Sequence, residues 1–91
     1  MLSWRRVHDA HGLGRALAGL RRDSGMSQAE LAEWLGVDRT TVVRMESGSL
    51  GALERLTAAL AVVGADLVVV PRQADVTVTP PRGSADPEPA R

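Results

Sequence analysis

The chain has 91 residues, 11 basic and 11 acidic side chains, and no cysteine. That length allows one domain with a small core, burying a little over ~60% of its unfolded surface. The composition excludes a disulfide framework and a thiolate metal site. No apolar run reaches the ~18 residues of a membrane span and no signal-peptide pattern is present, so a cytoplasmic protein is expected.

Zero net charge argues weakly against a nucleic-acid partner. Only the face turned to phosphates has to be basic, however, and every basic residue here is arginine. His8 and His11 lie close together with no acidic or thiol cluster around them, so neither a metal nor a cofactor is expected.

Residues 1–10 show no clear period and read as an N-terminal arm. Trp4 is its one large aromatic, and Arg5 and Arg6 are either solvated or placed to touch a DNA backbone. From about residue 10 to 24, Leu13, Ala16, Leu17 and Leu20 recur at spacings of three and four, which predicts an amphipathic helix. Gly14 and Gly19 weaken it by up to ~1 kcal/mol each relative to alanine. Close approach of another helix would explain them. Gly25 is expected to end this helix in a left-handed cap.

The stretch 27–48, SQAELAEWLGVDRTTVVRMESG, organises the rest. Ser27 with Glu30 three residues on is a capping box and predicts a helix start. Leu31, Ala32 and Leu35 fall on one face of that helix, and Gly36 and Val37 then break the pattern. Asp38 is a good N-cap residue for a second helix, on which Val42 and Met45 face inward. Gly48 closes it. Two short helices joined by a tight glycine turn form a helix-turn-helix unit, whose second helix lies in the DNA major groove.

A fourth helix is predicted from a Ser49 cap to Gly64, with Leu50, Leu53, Leu56, Leu60 and Val63 as its apolar stripe. Residues 66–70, DLVVV before Pro71, read as a strand. No partner for it is evident within the chain unless residues 76–79, VTVT, supply one. A lone exposed valine strand is an aggregation hazard, so pairing with a second copy is expected. Residues 72–91 hold four of the five prolines with glycine, serine and acidic residues, and read as a disordered tail.

Residues 27–48 resemble the Cro/C1-repressor (XRE-type) helix-turn-helix. The resemblance rests on Ser27, Gln28, Leu31-Ala32, Leu35-Gly36-Val37 and Glu46-Ser47-Gly48 in unbroken spacing, and extends over about residues 13–71. The fourth helix and the Val-rich strand look most like the HipB-type antitoxins. The resemblance implies an all-α, lambda-repressor-like domain of four or five helices spanning 11–71, with a C-terminal dimerising strand. It also implies a sequence-specific repressor acting as a homodimer on a palindromic operator. A HipB-like protein would repress its own operon and neutralise a HipA-like kinase toxin. A stand-alone or phage-type repressor and an interaction module without DNA binding are the alternatives. No catalytic constellation is visible, so no enzyme activity is expected.

The base-reading candidates lie on the second helix of the unit. Arg39, near its start, can pair bidentately with guanine, a contact worth ~1–3 kcal/mol of discrimination. Arg44, one turn and a residue further on, is expected on nearly the same side and can reach a second base or a phosphate. Thr40 can donate to a base or present its methyl group, and Val43 can meet a thymine methyl. A solvated face is the alternative for both arginines. Asp38 stands where a hydroxyl residue is usual and would lower non-specific affinity or select a cytosine amino group.

By resemblance Gln28 and Thr41 hold phosphate-contacting positions, and Arg21 and Glu46 form a structural ion pair between the first helix and the reading helix. Leu60, Val63, Leu67, Val68, Val69 and Val70 are the dimerisation candidates. Trp34 points to solvent on the helical wheel; a partner surface, a phosphate-side contact or packing on the fourth helix would account for it.

Overall fold

The computed structural model describes residues 5–81. In chain order it contains β1 (Arg5–Val7), α1 (Ala10–Asp23), α2 (Gln28–Leu35), α3 (Arg39–Glu46), α4 (Ala52–Val62) and β2 (Leu67–Val69). Four helices and a small two-stranded sheet make the mostly helical domain expected of the sequence. The expected glycine helix ends at Gly25, Gly48 and Gly64 are present, each with positive φ.

The capping box is complete. The Ser27 Oγ accepts from the Glu30 N–H at 3.0 Å, and the Glu30 carboxylate accepts from the Ser27 N–H at 2.8 Å. These reciprocal bonds satisfy two donors that a helix start leaves open. Gly36 then adopts φ 71°, a left-handed conformation that lets α2 stop and α3 begin within three residues.

Several boundaries differ from expectation. Asp9, within the expected arm, is the N-cap of α1 and accepts from the Gly12 N–H at 2.7 Å. Asp38 occupies the N-cap position of α3, but its side chain makes no cap bond. Ser49 does not cap α4, which starts after Gly51. Glu54 instead turns its carboxylate back onto the Leu50 N–H at 3.0 Å.

The strand expectation needs the largest correction. β2 does have a partner within the chain, and it is the arm. β1 pairs antiparallel with it in the register Arg5↔Val69, Arg6↔Val68, Val7↔Leu67. Val7 is buried in the core, Arg5 reaches Asp23 at 3.5 Å, and Arg6 reaches Asp66 at 3.4 Å. Three residues reading Arg-Arg-Val are too short to show a period of two, so the strand is set by its tertiary partners. Residues 76–79 form no strand; they lie with Asp75 across Arg6 and Val68, around a cavity of about 290 Å³. Residues 72–81 carry no helix or strand. The remainder of the expected disordered tail, and Trp4, lie outside the described residues.

The core is made largely of small side chains: Val7, Ala16, Ala18, Ala32 and Val42, with Thr57 from α4. On α1 the leucines expected to form the stripe are half-buried, while Gly14, Ala16, Ala18 and Gly19 take the buried positions. Gly14 allows this. A Cβ there would lie 2.5 Å from the Met45 carbonyl and 2.6 Å from that of Glu46, so the end of α3 rests directly on the α1 backbone. The neighbour admitted at Gly19 is the guanidinium of Arg5, not a helix.

On α4 the apolar stripe is not the core face. Thr57 is buried, whereas Leu53 and Leu56 are exposed and Val63 is 75% exposed. Leu60, Leu67, Val69 and Val70 are half-buried and Val68 is exposed.

Candidate nucleic-acid interface

α3 is anchored by Val42, which is fully buried. With that residue inward, the helical period turns Thr40, Thr41, Val43 and Arg44 outward, while Arg39, three positions before Val42, borders the inward side at the helix start; all five are exposed. Five positions on a helix amount to about 140°, so Arg44 is aligned with Thr40, and Arg39 with Val43. The two arginines therefore occupy different sides of the outer face, not one side as expected from sequence.

A chain of side-chain bonds fixes the base of this surface. Arg21 on α1 donates from Nε to the Glu46 Oε2 at 2.6 Å and from Nη2 to Oε1 at 3.2 Å. Its Nη1 donates to the Met26 carbonyl at 2.7 Å, in the turn before α2. Gln28, the first residue of α2, donates from Nε2 to the Glu46 Oε1 at 3.0 Å. The Gln28 Oε1 accepts from the Arg39 Nη2, also at 3.0 Å. This amide orientation satisfies both neighbours; the flipped one would set like groups against each other on either side.

One network thus joins α1, the start of α2 and both ends of α3. The pairing of Arg21 with Glu46 is the one expected, and both side chains are under a tenth exposed. The bond to Arg21 holds the Glu46 carboxyl below the usual glutamate range; burial opposes this, and the Gln28 amide and Arg22 add to the lowering. The same bond raises the Arg21 guanidinium above its ordinary value, again against burial. Glu30 is likewise lowered, first by the Ser27 backbone N–H and then by its hydroxyl.

The bridging role of Gln28 was not visible in the sequence. Eleven positions separate it from Arg39 and eighteen from Glu46, and the turn at Gly36, Val37 and Asp38 interrupts the helix in between, so no helical spacing links them. Arg39 spends one donor on Gln28 and keeps the rest of its five for a ligand. Asp38 keeps its carboxylate uncommitted, beside Arg39 at the start of the same face. Trp34 lies on α2, 79% exposed, which removes packing on α4 as its explanation. Leu60, Val63 and β2 lie on other elements and do not enter this site.

The surface therefore offers arginine, threonine and valine side chains on a projecting short helix. Behind them a shielded ion pair sets the angle of that helix. This is the chemistry of base-edge and phosphate contact in a major groove. Among the described residues no group of histidines or carboxylates could hold a metal, and no helix is long and apolar enough to cross a membrane. Comparison with curated proteins and with solved structures returns no match. A family model described as a helix-turn-helix domain matches residues 12–73, well over half the chain. The chain belongs to this helix-turn-helix family, the family of a DNA-binding regulator.

Proposed function

We propose that the protein is a sequence-specific transcriptional repressor of the Cro/C1 (XRE) kind, a binding protein with no catalytic activity, acting in the cytoplasm at the nucleoid. The observation that carries this reading is the Arg21–Glu46–Gln28–Arg39 network, which holds the first turn of the exposed α3 against the start of α2. Arg39, Thr40, Val43 and Arg44 are the base-reading residues, with Gln28 and Thr41 on phosphates and Asp38 tuning the choice.

The repressor works as a homodimer on a palindromic operator. What supports this is the apolar character of α4, where only Glu54, Arg55 and Thr57 are polar between residues 52 and 64. A helix apolar nearly all round belongs inside an assembly. Leu56 and Val63, both exposed, meet their copies, and β2 keeps an edge that β1 does not pair. Two reading helices would then lie about one DNA turn (~34 Å) apart.

The finer reading is an antitoxin of the HipB kind, repressing its own operon and neutralising a HipA-like kinase. It rests on the resemblance of a fourth helix followed by a Val-rich strand, and the exposed Trp34 supplies an anchor of the type enriched at protein interfaces. A gel shift with the DNA upstream of its own gene tests the repressor. Retarded bands on that DNA and not on scrambled duplex are expected. Equal binding to both, or none, rejects it. Co-purification with the product of the adjacent gene tests the antitoxin. A neighbouring prophage gene in place of a kinase would leave a stand-alone repressor.

A further inference from the structure

Between β1 and the outer side of α1 lies a groove of about 630 Å³. Its lining includes Arg5, Arg6, His8, His11, Arg15 and Arg22. The acidic residues nearby are already committed. Asp9 caps α1. Asp23 faces Arg5 at 3.5 Å, and Asp66 faces Arg6 and His8, the latter at 2.7 Å. Arg15 and Arg22 have no carboxylate partner among the described residues.

The floor is small. Gly12, Ala16 and Gly19 line it, and a Cβ at Gly19 would fall 2.5 Å from the Arg5 Nη2. The Arg5 guanidinium therefore lies directly against the helix backbone. Arg15 and Arg22 are seven positions apart on α1, nearly on one side and about 10 Å apart along the axis. The floor lies about 200° around α1 from Gly14 and Arg21, the residues that meet α3. The floor thus faces away from the side of α1 that meets α3, while Arg15 and Arg22 lie about 100° from that side.

We propose that this groove binds a small ligand carrying oxyanion groups, phosphates or carboxylates, with Arg15 and Arg22 as its principal partners. Arginine forks suit such groups because each can donate two parallel bonds. The volume of this open groove falls within the ~300–1,000 Å³ of small-molecule sites. The floor faces away from α3, and the proposal stands whether or not the DNA reading does.

Calorimetric titration of the full chain with sodium tripolyphosphate, against sulfate at matched ionic strength, provides the test. Citrate in a second titration distinguishes carboxylate from phosphate sources. One saturable site is expected. The double variant Arg15→Gln, Arg22→Gln should weaken it by roughly tenfold or more, as lost charged bonds require, and leave the melting curve in place. Arg55→Gln, on α4, should bind as the parent does. Binding that fails to saturate, that follows ionic strength alone, or that survives in the double variant overturns the site. So does a matching loss of affinity for random duplex DNA in the double variant, which would make the groove a DNA phosphate surface.

Discussion

Arg39 is held by Gln28 through a 3.0 Å bond across the turn of the helix-turn-helix. The arginine proposed to read a base is therefore already oriented by the residue proposed to touch the neighbouring phosphate. Less side-chain freedom remains to be lost on binding. Arg39→Ala should cost ~1–3 kcal/mol on the operator and relax the preference at one base pair. Gln28→Ala should weaken binding too, and the double substitution should cost less than the sum. Fluorescence anisotropy on operator and scrambled duplex measures both. Equal losses on the two duplexes would reduce Arg39 to a phosphate contact.

The Arg21–Glu46 pair should matter for the fold before it matters for DNA. Removing one partner strands the other in a shielded site, which costs more than the pair contributes as a whole. Glu46→Ala should lower the Tm by roughly 5–10 °C. A double-mutant cycle with Arg21→Ala should show clear coupling. Additive effects would mean that the two side chains lie near each other without holding α1 to α3.

The same carboxylate sets an acid limit. Folding lowers the Glu46 and Glu30 values, so the unfolded chain binds protons more readily than the native one. Their stabilisation is complete above the ordinary glutamate range, ~4.3. It fades as the pH falls below that range and is lost once the pH passes the lowered native values. Thermal melts between pH 7 and 3 should show this loss in the parent. Glu46→Gln should flatten the slope, and an unchanged slope would assign the acid sensitivity elsewhere.

The helix-turn-helix could be read from sequence because its signals are local: a capping box three residues wide, a glycine at a forced left-handed turn, and apolar residues at helical spacing. Arg21 and Glu46 came from resemblance, and the structure joins them. What stayed hidden depends on contacts distant in the chain. β1 is a strand only because β2 lies beside it and Val7 reaches the core. The α4 stripe looked like core because a stripe buried within a monomer and one left for a partner have the same period. Arg15 and Arg22 fall on the polar side of an amphipathic helix, and nothing in their spacing marks the wall that β1 adds to their groove.

Gly14 should resist replacement. Alanine favours an isolated helix by up to ~1 kcal/mol over glycine. Here the new methyl group would meet two backbone carbonyls of α3 at 2.5 and 2.6 Å, and backbone cannot rotate away. Gly14→Ala should therefore destabilise by ~1–3 kcal/mol, in urea melts, as overpacked sites do. A stabilised variant would show that α1 and α3 can separate freely.

The proposed dimer is best tested by charge, since truncation at residue 65 would also strip β1 of its partner and expose Val7. Leu56→Glu with Val63→Glu places carboxylates on exposed positions of α4 and its C-cap and should leave the monomer folded. Sedimentation should then show the parent as a dimer and the variant as a monomer, with operator affinity lost in parallel. A monomeric parent, or a dimeric variant, rejects the α4 interface.

The pairing of β1 with β2 also bears on when the domain can form. Val7 and Leu67 lie opposite each other across sixty positions of chain. During synthesis the helical unit can assemble from neighbouring segments, but the first strand must wait for the last. Contacts of such long separation form slowly, because a large loop has to be closed before they return any stability. Until then Val7 has no sheet partner, and the basic groove lacks its β1 wall. The groove is thus completed only with the finished domain, whereas the elements of the reading surface are in hand some twenty residues earlier.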